Sequence, residues 1–434
     1  MLGLMMENGP FRWLPGTYAP VVNPWSWNRL AHVVYVDQPI GTGYSTGPIT
    51  SNDQDDVARD FAQFWRRFID TFGLFGSRVY FSGESYAGMY VPYIAGHMLD
   101  LRDAGELDYF DVRGALLYDA LITNTRVQSE VPAVRFMERT AVLHPFNESF
   151  TAHIAAESER CGFTEYLDKY LTYPPTLRPQ PDYVPSPLND EGCLSLQLRI
   201  ATAARRLNPC WSAYDVSTTC PPKWSIMGSF DTSRYLPEGV EAYFNRQKVK
   251  EALNVQMDEP WVECAQLAGR SVFAGKTGRD RSAPSAVYAL PSLLDRMGNV
   301  MLAHGSLDFV LVHEGTLLAI QNMTWRQNRG FQTAPTEPLH VPTYKQAAMF
   351  STTPDGMSVV SEGMTLSEAV VSGTGQFGVA HEERGLTYVG VDLSGHMGPM
   401  AAPAAAMRMV EVLLGRTKNL QSEDPFVIER MEKA

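Results

Sequence analysis

One turn constrains this chain more than any other feature, and its residues 83–88 read Gly-Glu-Ser-Tyr-Ala-Gly. It follows the apolar residues 79–81, which favour a strand, and it precedes apolar residues at helical spacing. A serine between small residues on a strand-to-helix turn is lifted above the edge of a sheet, where its hydroxyl can act as a nucleophile. Because such a turn is often only a turn, the assignment of Ser85 as a nucleophile depends on finding partners for it.

Two candidate partners follow further along the chain. Asp308 comes after the strand-like residues 300–303 and a turn at Gly305, and His396 comes after the strand-like residues 387–391. A serine hydroxyl needs a histidine to take its proton, and that histidine needs a carboxylate to hold the correct tautomer. Alone, Asp308 could be a turn aspartate and His396 an ordinary core or surface histidine. Together, in the order Ser, Asp, His and each beyond a strand end, they predict the triad of an α/β-hydrolase.

Four segments of the sequence match motifs of one known family. They are residues 7–11 (Glu-Asn-Gly-Pro-Phe), residues 34–45 (Val-Tyr-Val-Asp-Gln-Pro-Ile-Gly-Thr-Gly-Tyr-Ser), the turn at residues 83–88, and residues 394–399 (Ser-Gly-His-Met-Gly-Pro). On these motifs the chain resembles the serine carboxypeptidases, a family of α/β-hydrolases, and looks most similar to the fungal secreted members. The resemblance implies an α/β fold with a mixed, mostly parallel sheet flanked by helices and a disulfide-bearing insertion over the active site.

The resemblance also implies roles for individual residues. Ser85 would be the nucleophile, Asp308 the acid and His396 the base of the triad, and the backbone N–H of Tyr86 would donate to the oxyanion. Met397 matches a position that lines the pocket for the leaving residue. No metal and no other cofactor is implied.

A second pair of residues, Glu84 and Glu7, would select the substrate. By the resemblance, Glu84 recognises a free carboxylate and Glu7 is its hydrogen-bonded carboxyl neighbour. Two carboxyls forced together cannot both ionise at low cost, so the pair should hold a proton into mildly acidic pH. A protonated carboxyl can donate to a peptide's terminal carboxylate, whereas an ionised one repels it. Without the resemblance, Glu84 could equally be a solvated residue on an exposed turn, and Glu7 a plain loop acid.

The sequence therefore predicts a serine-type carboxypeptidase that releases C-terminal amino acids from peptides or proteins at acidic pH through an acyl-enzyme. Two alternatives remain open: an acyltransferase of the same family, and a catalytically impaired binding protein. The formal charge of −12 and the pI near 5.3 argue against a nucleic-acid partner. No run of about 18 apolar residues is present, so no membrane span is expected.

Five cysteines favour an oxidising compartment over the alternative of buried thiols in a reducing one. Cys161, Cys193, Cys210 and Cys220 cluster in one region, and four cysteines allow three pairings. The resemblance implies the nested pairing, Cys161 with Cys220 and Cys193 with Cys210. Cys264 stands apart and would pair with a cysteine upstream of the chain as given. No spacing typical of a zinc site occurs.

The N-terminus is the main departure from the family pattern. In the family, an Asn-Gly-Gly-Pro-Gly segment and a Cys-Ser-Ser segment lie just before the part that begins here at Met1. We expect the missing stretch to carry one oxyanion donor, the first sheet strands and a signal peptide. Residues 1–7 do not themselves have the features of a signal peptide. A start codon assigned too far downstream is favoured over a genuinely shortened chain. A full-length form would be secreted or vacuolar, and sequons at Asn147 and Asn322 agree with that.

Organisation along the chain is expected in three parts. Residues 1–125 form the first part of the hydrolase core without the family's first strands, residues 126–245 the insertion, and residues 246–434 the second part of the core. Within them we expect a helix around residues 57–68 capped from residues 51, 52 or 55, a strand over residues 112–122, and a final helix over residues 401–414.

Overall fold

The fold is given by a computed structural model that describes residues 1–181, 193, 195–228, 231–256, 259–265, 269–275, 277–342, 344 and 373–423. Residues 182–192, 194, 229 and 230 of the expected insertion lie outside the described part. Across the described residues, none of the helices combines the length and the apolar character that a membrane crossing would need.

Strands and helices alternate over residues 54–118, as expected of an α/β protein. In the described residues the strands are β1 (Phe11–Arg12), β2 (Val21–Val22), β3 (Arg78–Glu84), β4 (Asp111–Tyr118), β5 (Lys223–Trp224), β6 (Arg234–Tyr235), β7 (Val300–Gly305), β8 (Thr324–Trp325), β9 (Asn328–Arg329), β10 (Glu337–Val341), β11 (Gly375–Glu383) and β12 (Leu386–Val391). The α-helices are α1 (Gln54–Phe72), α2 (Ala87–Asp103), α3 (Ala133–Arg139), α4 (Glu148–Arg160), α5 (Phe163–Tyr170), α6 (Leu196–Leu207), α7 (Gln247–Ala252), α8 (Ala289–Arg296), α9 (His313–Asn322), α10 (Gly398–Ala401) and α11 (Pro403–Leu413).

The central sheet has six strands in the order β10-β11-β12-β7-β4-β3. Strands β3, β4, β7 and β12 run parallel to one another, and β11 and β10 extend the sheet antiparallel. This mixed, mostly parallel sheet confirms the predicted fold class. Because parallel strands point the same way, the carboxyl ends of β3, β4, β7 and β12 meet along one edge, which is where α/β sheets place their ligands.

Helices cover both faces of the sheet, and the strand sequences show why. Side chains alternate between faces, so Ala115 and Leu117 of β4 join the core under α1, α2 and α8, whereas Leu116 and Tyr118 join the core under α11. All four are buried, which matches the continuous apolar character of a strand covered on both sides.

The first long helix, α1, begins and ends at identifiable signals. Asp53 caps its N-terminus by accepting from the N–H of Asp56, and Gly73 ends it at a φ of 66°. The expected caps at residues 51, 52 and 55 were wrong, because Asp53 is the residue whose extended backbone aims its carboxylate at the first turn. Phe61 faces the core as expected, whereas Phe64 is exposed.

Two other expected elements end early for backbone reasons. Strand β4 stops at Tyr118 and not at residue 122, because Asp119 has a φ of 44° and turns the chain out of the sheet. The final helix is not continuous over residues 401–414. It is divided into α10 and α11 at Ala402, whose position before Pro403 disfavours helical geometry.

The disulfides lie within residues 126–245 but do not have the predicted nested pairing. Cys161 pairs with Cys193, and Cys210 pairs with Cys220. Cys161 follows α4 and Cys193 lies just before α6, which contacts α4, so their Cα atoms are 5.6 Å apart. Asn208 closes the loop from Cys210 to Cys220 by donating to the carbonyl of Thr218 at 2.7 Å. Cys210 is therefore paired with Cys220 and cannot pair with Cys193. Cys264 is a free thiol.

Candidate active site

Ser85 lies on a strained turn between β3 and α2. Its φ of 60° is uncommon for a residue other than glycine, and such strain is typical of functional turns. Three backbone hydrogen bonds hold it: the N–H of Ser85 donates to Tyr118, and its carbonyl accepts from Gly88 and Leu121. Gly88 must be a glycine, because a Cβ there would lie 2.4 Å from the carbonyl oxygen of Leu121.

Asp308 and His396 form a buried hydrogen-bonded pair. Oδ2 of Asp308 lies 2.7 Å from Nδ1 of His396, and the two residues are 0% and 2% exposed. Oδ1 of Asp308 accepts from the N–H groups of Val310 at 2.7 Å and Leu311 at 3.2 Å. A carboxylate accepts hydrogen bonds, so the proton of the neutral imidazole sits on Nδ1. Nε2 is then the basic nitrogen, and among the described residues it has no hydrogen-bond partner.

The sheet order brings the predicted triad to one edge. Ser85 follows β3, Asp308 comes after β7 and His396 comes after β12. Asp308 and His396 are in direct contact, whereas Ser85 and His396 are not hydrogen-bonded to each other. Catalytic hydrogen bonds often shorten only when the substrate is bound, so this spacing agrees with a nucleophile and base that meet in the complex.

Two loop residues hold the acid and base in place, and no sequence motif indicated them. The carbonyl of Ala213 accepts from Phe309 N–H at 2.8 Å, and the carbonyl of Tyr214 accepts from His396 N–H at 2.7 Å. The ring of Tyr214 also meets the imidazole edge to face, at 5.1 Å between centroids. Ala213 and Tyr214 belong to the predicted insertion, so this segment contacts His396 and the loop that carries Asp308.

The two predicted carboxyls, Glu7 and Glu84, do lie together. Glu7 ends a short π-helix (Gly3–Glu7), Glu84 is the last residue of β3, and their carboxyl groups are close enough to share a hydrogen bond when one of them is protonated. Burial and the neighbouring charge of Glu7 raise the pKa of Glu84 well above its ordinary value. Burial raises the pKa of Glu7 to about 7, with the hydrogen bond to Glu84 opposing the shift. The pair therefore still holds one proton at a pH where ordinary carboxyl groups are ionised.

A buried arginine that the sequence did not mark as a site residue lies beside this pair. Arg12 in β1 is 5% exposed and donates from Nη2 to the carbonyl of Met400 at 2.8 Å. Burial lowers its pKa to about 10, and the charge of Glu7 opposes that shift. Since this cation acts on Glu7, Glu7 is the first of the two to ionise as pH rises past its pKa of about 7, and Glu84 keeps its proton. Only the apolar neighbourhood of residue 12 was visible in the sequence, so no signal marked Arg12.

Tyr86 and Met397 flank the triad along the chain. Tyr86 precedes the first turn of α2, so its backbone N–H lies at the helix end that favours negative charge. Its hydroxyl donates to Oδ2 of Asp280 at 3.0 Å. Met397 follows His396 and precedes α10, and its side chain is partly exposed.

Both predicted glycosylation asparagines are exposed. Oδ1 of Asn147 accepts from the N–H of Phe150 at 2.8 Å and so caps α4, and Oδ1 of Asn322 accepts from the N–H of Gln180 at 2.9 Å.

Within the described part of the chain, one group of three side chains has the spacing of a possible metal site: Asp119, His304 and Asp308. Both nitrogens of His304 are already engaged, Nε2 with the carbonyl of Leu311 at 2.5 Å and Nδ1 with the hydroxyl of Thr316 at 3.1 Å. The group is therefore better described as a hydrogen-bonded cluster than as a metal centre.

Comparison with known proteins agrees with this geometry. The profile of the serine carboxypeptidase family matches residues 1–416. A probable serine carboxypeptidase of Arthroderma benhamiae is 39% identical over 430 residues, which cover 96% of this chain and 75% of the relative. Serine-type carboxypeptidase F of Aspergillus niger is 37% identical over 426 residues, covering 96% of this chain and 76% of the relative.

A solved structure supports the fold. The prohormone-processing carboxypeptidase Kex1(Δ)p of Saccharomyces cerevisiae superposes with a TM-score of 0.64 at 19% identity, covering 97% of this chain and 82% of that one. The matches favour carboxypeptidase activity over the two alternatives, acyltransferase and non-catalytic binding protein. This chain belongs to the serine carboxypeptidase family, a family of peptide hydrolases with the α/β-hydrolase fold.

Proposed function

We propose that Ser85, His396 and Asp308 carry the peptidase reaction as nucleophile, base and acid. The observation that supports this most is the buried Asp308–His396 hydrogen bond, which leaves Nε2 of His396 as the free basic nitrogen. Ser85 Oγ attacks the carbonyl of the last peptide bond while Nε2 takes its proton. The same proton passes to the departing amine, and a water molecule then hydrolyses the acyl-enzyme by the reverse use of His396.

The backbone N–H of Tyr86 is the proposed donor to the oxyanion. It lies at the N-terminus of α2, whose dipole adds to the stabilisation of negative charge. A single oxyanion donor contributes about 10²–10³ in rate. Met397, adjacent to His396, is the proposed wall of the pocket for the leaving residue.

Glu84 is proposed to bind the free carboxylate of the substrate, with Glu7 as its partner. The protonated Glu84 can donate to a carboxylate, and no N–H or hydroxyl of a described residue reaches its buried Oε2. The pKa of Glu84 is raised, so its neutral form persists as pH rises and is lost once pH passes that raised value. Above that value two adjacent negative charges would repel the substrate, so activity is expected to be highest in acid.

The proposal also covers the division of the chain into three segments, the substrate and the cellular compartment of the enzyme. Residues 126–245 act as an insertion over the site, between core segments 1–125 and 246–434. The substrate is the C-terminus of a peptide or protein. The enzyme works in a secretory or vacuolar compartment, where its two disulfides are maintained and Asn147 and Asn322 can be glycosylated.

Two matched serine variants test the proposal. Ser85→Ala should lower kcat on a dipeptide blocked at its N-terminus by several orders of magnitude. Ser82→Ala, at an exposed position of β3, should retain activity. The parent should cleave the dipeptide with a free C-terminus far faster than the same dipeptide blocked as a methylamide. Activity in folded Ser85→Ala, or equal rates on the two substrates, would refute the proposal.

A further inference from the structure

Asp119 is a buried acid beside the triad that the reaction above does not use. It follows β4, is 0% exposed and has a φ of 44°. Its N–H donates to the carbonyl of Ala303 and its Oδ1 accepts from the N–H of Gly305, both at 2.8 Å. Two bonds to β7 therefore fix Asp119 in a conformation that few residues other than glycine adopt. The result is a carboxyl group directed at the loop that carries Asp308.

Among the described residues, no Lys or Arg forms an ion pair with this carboxyl. One oxygen of Asp119, one nitrogen of His304 and one oxygen of Asp308 lie within 4.8 Å of one another. Nε2 of His304 is 3.5 Å from Oδ1 of Asp119 and 3.6 Å from Oδ2 of Asp308. Among the described residues, the titratable groups that interact electrostatically with Asp119 are Glu7, Glu84, Tyr118, His304, Asp308 and Tyr388.

His304 is held neutral. A carbonyl only accepts, so Nε2 of His304 carries the proton that is donated to Leu311, and Nδ1 accepts from the hydroxyl of Thr316. That hydroxyl in turn accepts from Nε2 of Gln128 at 2.8 Å, which completes a consistent network. Burial lowers the pKa of His304 to about 4. His304 therefore supplies no positive charge to either carboxyl.

Two buried carboxyls without a cation cannot both ionise, so one of them keeps a proton. Asp308 accepts from two backbone N–H groups and from His396, which together stabilise its ionised form. Asp119 accepts one N–H, and no N–H or hydroxyl of the described residues reaches its buried Oδ2. The pKa of Asp119 is raised well above its ordinary value by burial and by the charge of Asp308. The proton belongs on Asp119.

We propose that Asp119 is a positioning residue for the peptidase reaction, holding a proton that it donates in a hydrogen bond to Asp308. This inference rests on the proposed roles of Asp308 and His396. The bond gives the triad carboxylate a further donor and fixes its plane against His396. Because the protonated Asp119 is neutral, it adds no second negative charge near the imidazole. His396 is therefore not stabilised in its protonated form, in which it could not act as a base.

Two substitutions at Asp119 test this inference through the pH profile of kcat/KM. Asp119→Asn keeps a donor for Asp308 and an acceptor for Gly305 without changing the charge, so the acidic limb should stay within about 0.3 pH unit of the parent's. Asp119→Ala removes the donor and should lower kcat about 10-fold or more, with KM nearly unchanged. If Asp119 is ionised in the parent, Asp119→Asn removes a charge near the imidazole and should move the acidic limb down by about a pH unit or more, which would overturn the inference.

The outcomes separate this inference from the proposed function. An inactive Ser85→Ala together with an Asp119→Ala variant of parental kcat would refute the role of Asp119 and leave the triad intact. An active Ser85→Ala would refute the triad itself. Thermal melting checks that each variant is folded, and if Asp119→Ala does not fold, the pH profile of Asp119→Asn alone still decides the protonation state.

Discussion

Replacing Asp308 by asparagine should disable the enzyme without displacing the triad. The two N–H groups of Val310 and Leu311 donate to Oδ1, so they select the amide oxygen of the new side chain for that position. The amide NH₂ must then occupy the place of Oδ2, 2.7 Å from Nδ1 of His396. Since the amide nitrogen only donates, Nδ1 must become the acceptor, and the proton of the imidazole moves to Nε2.

The size of the effect follows from that change of tautomer. With a proton on Nε2, His396 cannot take the proton of Ser85, so the reaction loses its base. We expect kcat to fall by about 10⁴, equivalent to about 5.5 kcal/mol of transition-state stabilisation, while KM changes little. The assay is steady-state hydrolysis of a blocked dipeptide by Asp308→Asn, with the exposed Asp392→Asn as the matched control. A folded Asp308→Asn within 10-fold of the parent would refute the reasoning.

Three further predictions address the substrate pair, the nucleophile turn and the insertion. Glu84→Gln keeps a donor but cannot ionise, and because the pKa of Glu84 is raised in the parent, the variant should stay active at the higher pH where the parent declines; profiles of kcat/KM that decline together would refute this. Gly88→Ala should destabilise the fold by about 1–3 kcal/mol, because its Cβ meets the carbonyl of Leu121 at 2.4 Å, and denaturant unfolding beside Gly96→Ala, which has open space, measures it. Replacing Cys161 and Cys193 by serine should cost about 2–5 kcal/mol in the free energy of unfolding, since the bridge closes 32 residues of chain, and an unchanged midpoint would contradict the assigned pairing.

Much of the fold and the triad could be predicted from the sequence, because these features leave local signals in it. Strands β3, β7 and β12 were readable as apolar runs, and each candidate triad residue followed one of them. The turn at Ser85 was predictable from its small residues at positions 83 and 87, which approach so closely that a Cβ on Gly83 would lie 2.4 Å from that of Ala87.

Features that depend on long-range contacts were not predictable. The pairing of Cys161 with Cys193 depends on the packing of α4 against α6, which no spacing reveals. Tyr214 and Asp119 contact the triad loops through the tertiary fold, and each looks like an ordinary residue in the sequence. Arg12 is similar, because its relation to Glu7 depends on burial of both groups.

The most direct test of the triad is to find which residue forms a covalent bond with an active-site phosphonate. Peptide mapping by mass spectrometry should locate one adduct on the peptide that contains Ser85. Labelling should be slowed strongly in His396→Ala and in Asp308→Asn, because both lose the base that activates the serine. An adduct on another residue, or labelling of Ser85 at the parental rate in folded His396→Ala, would contradict the account.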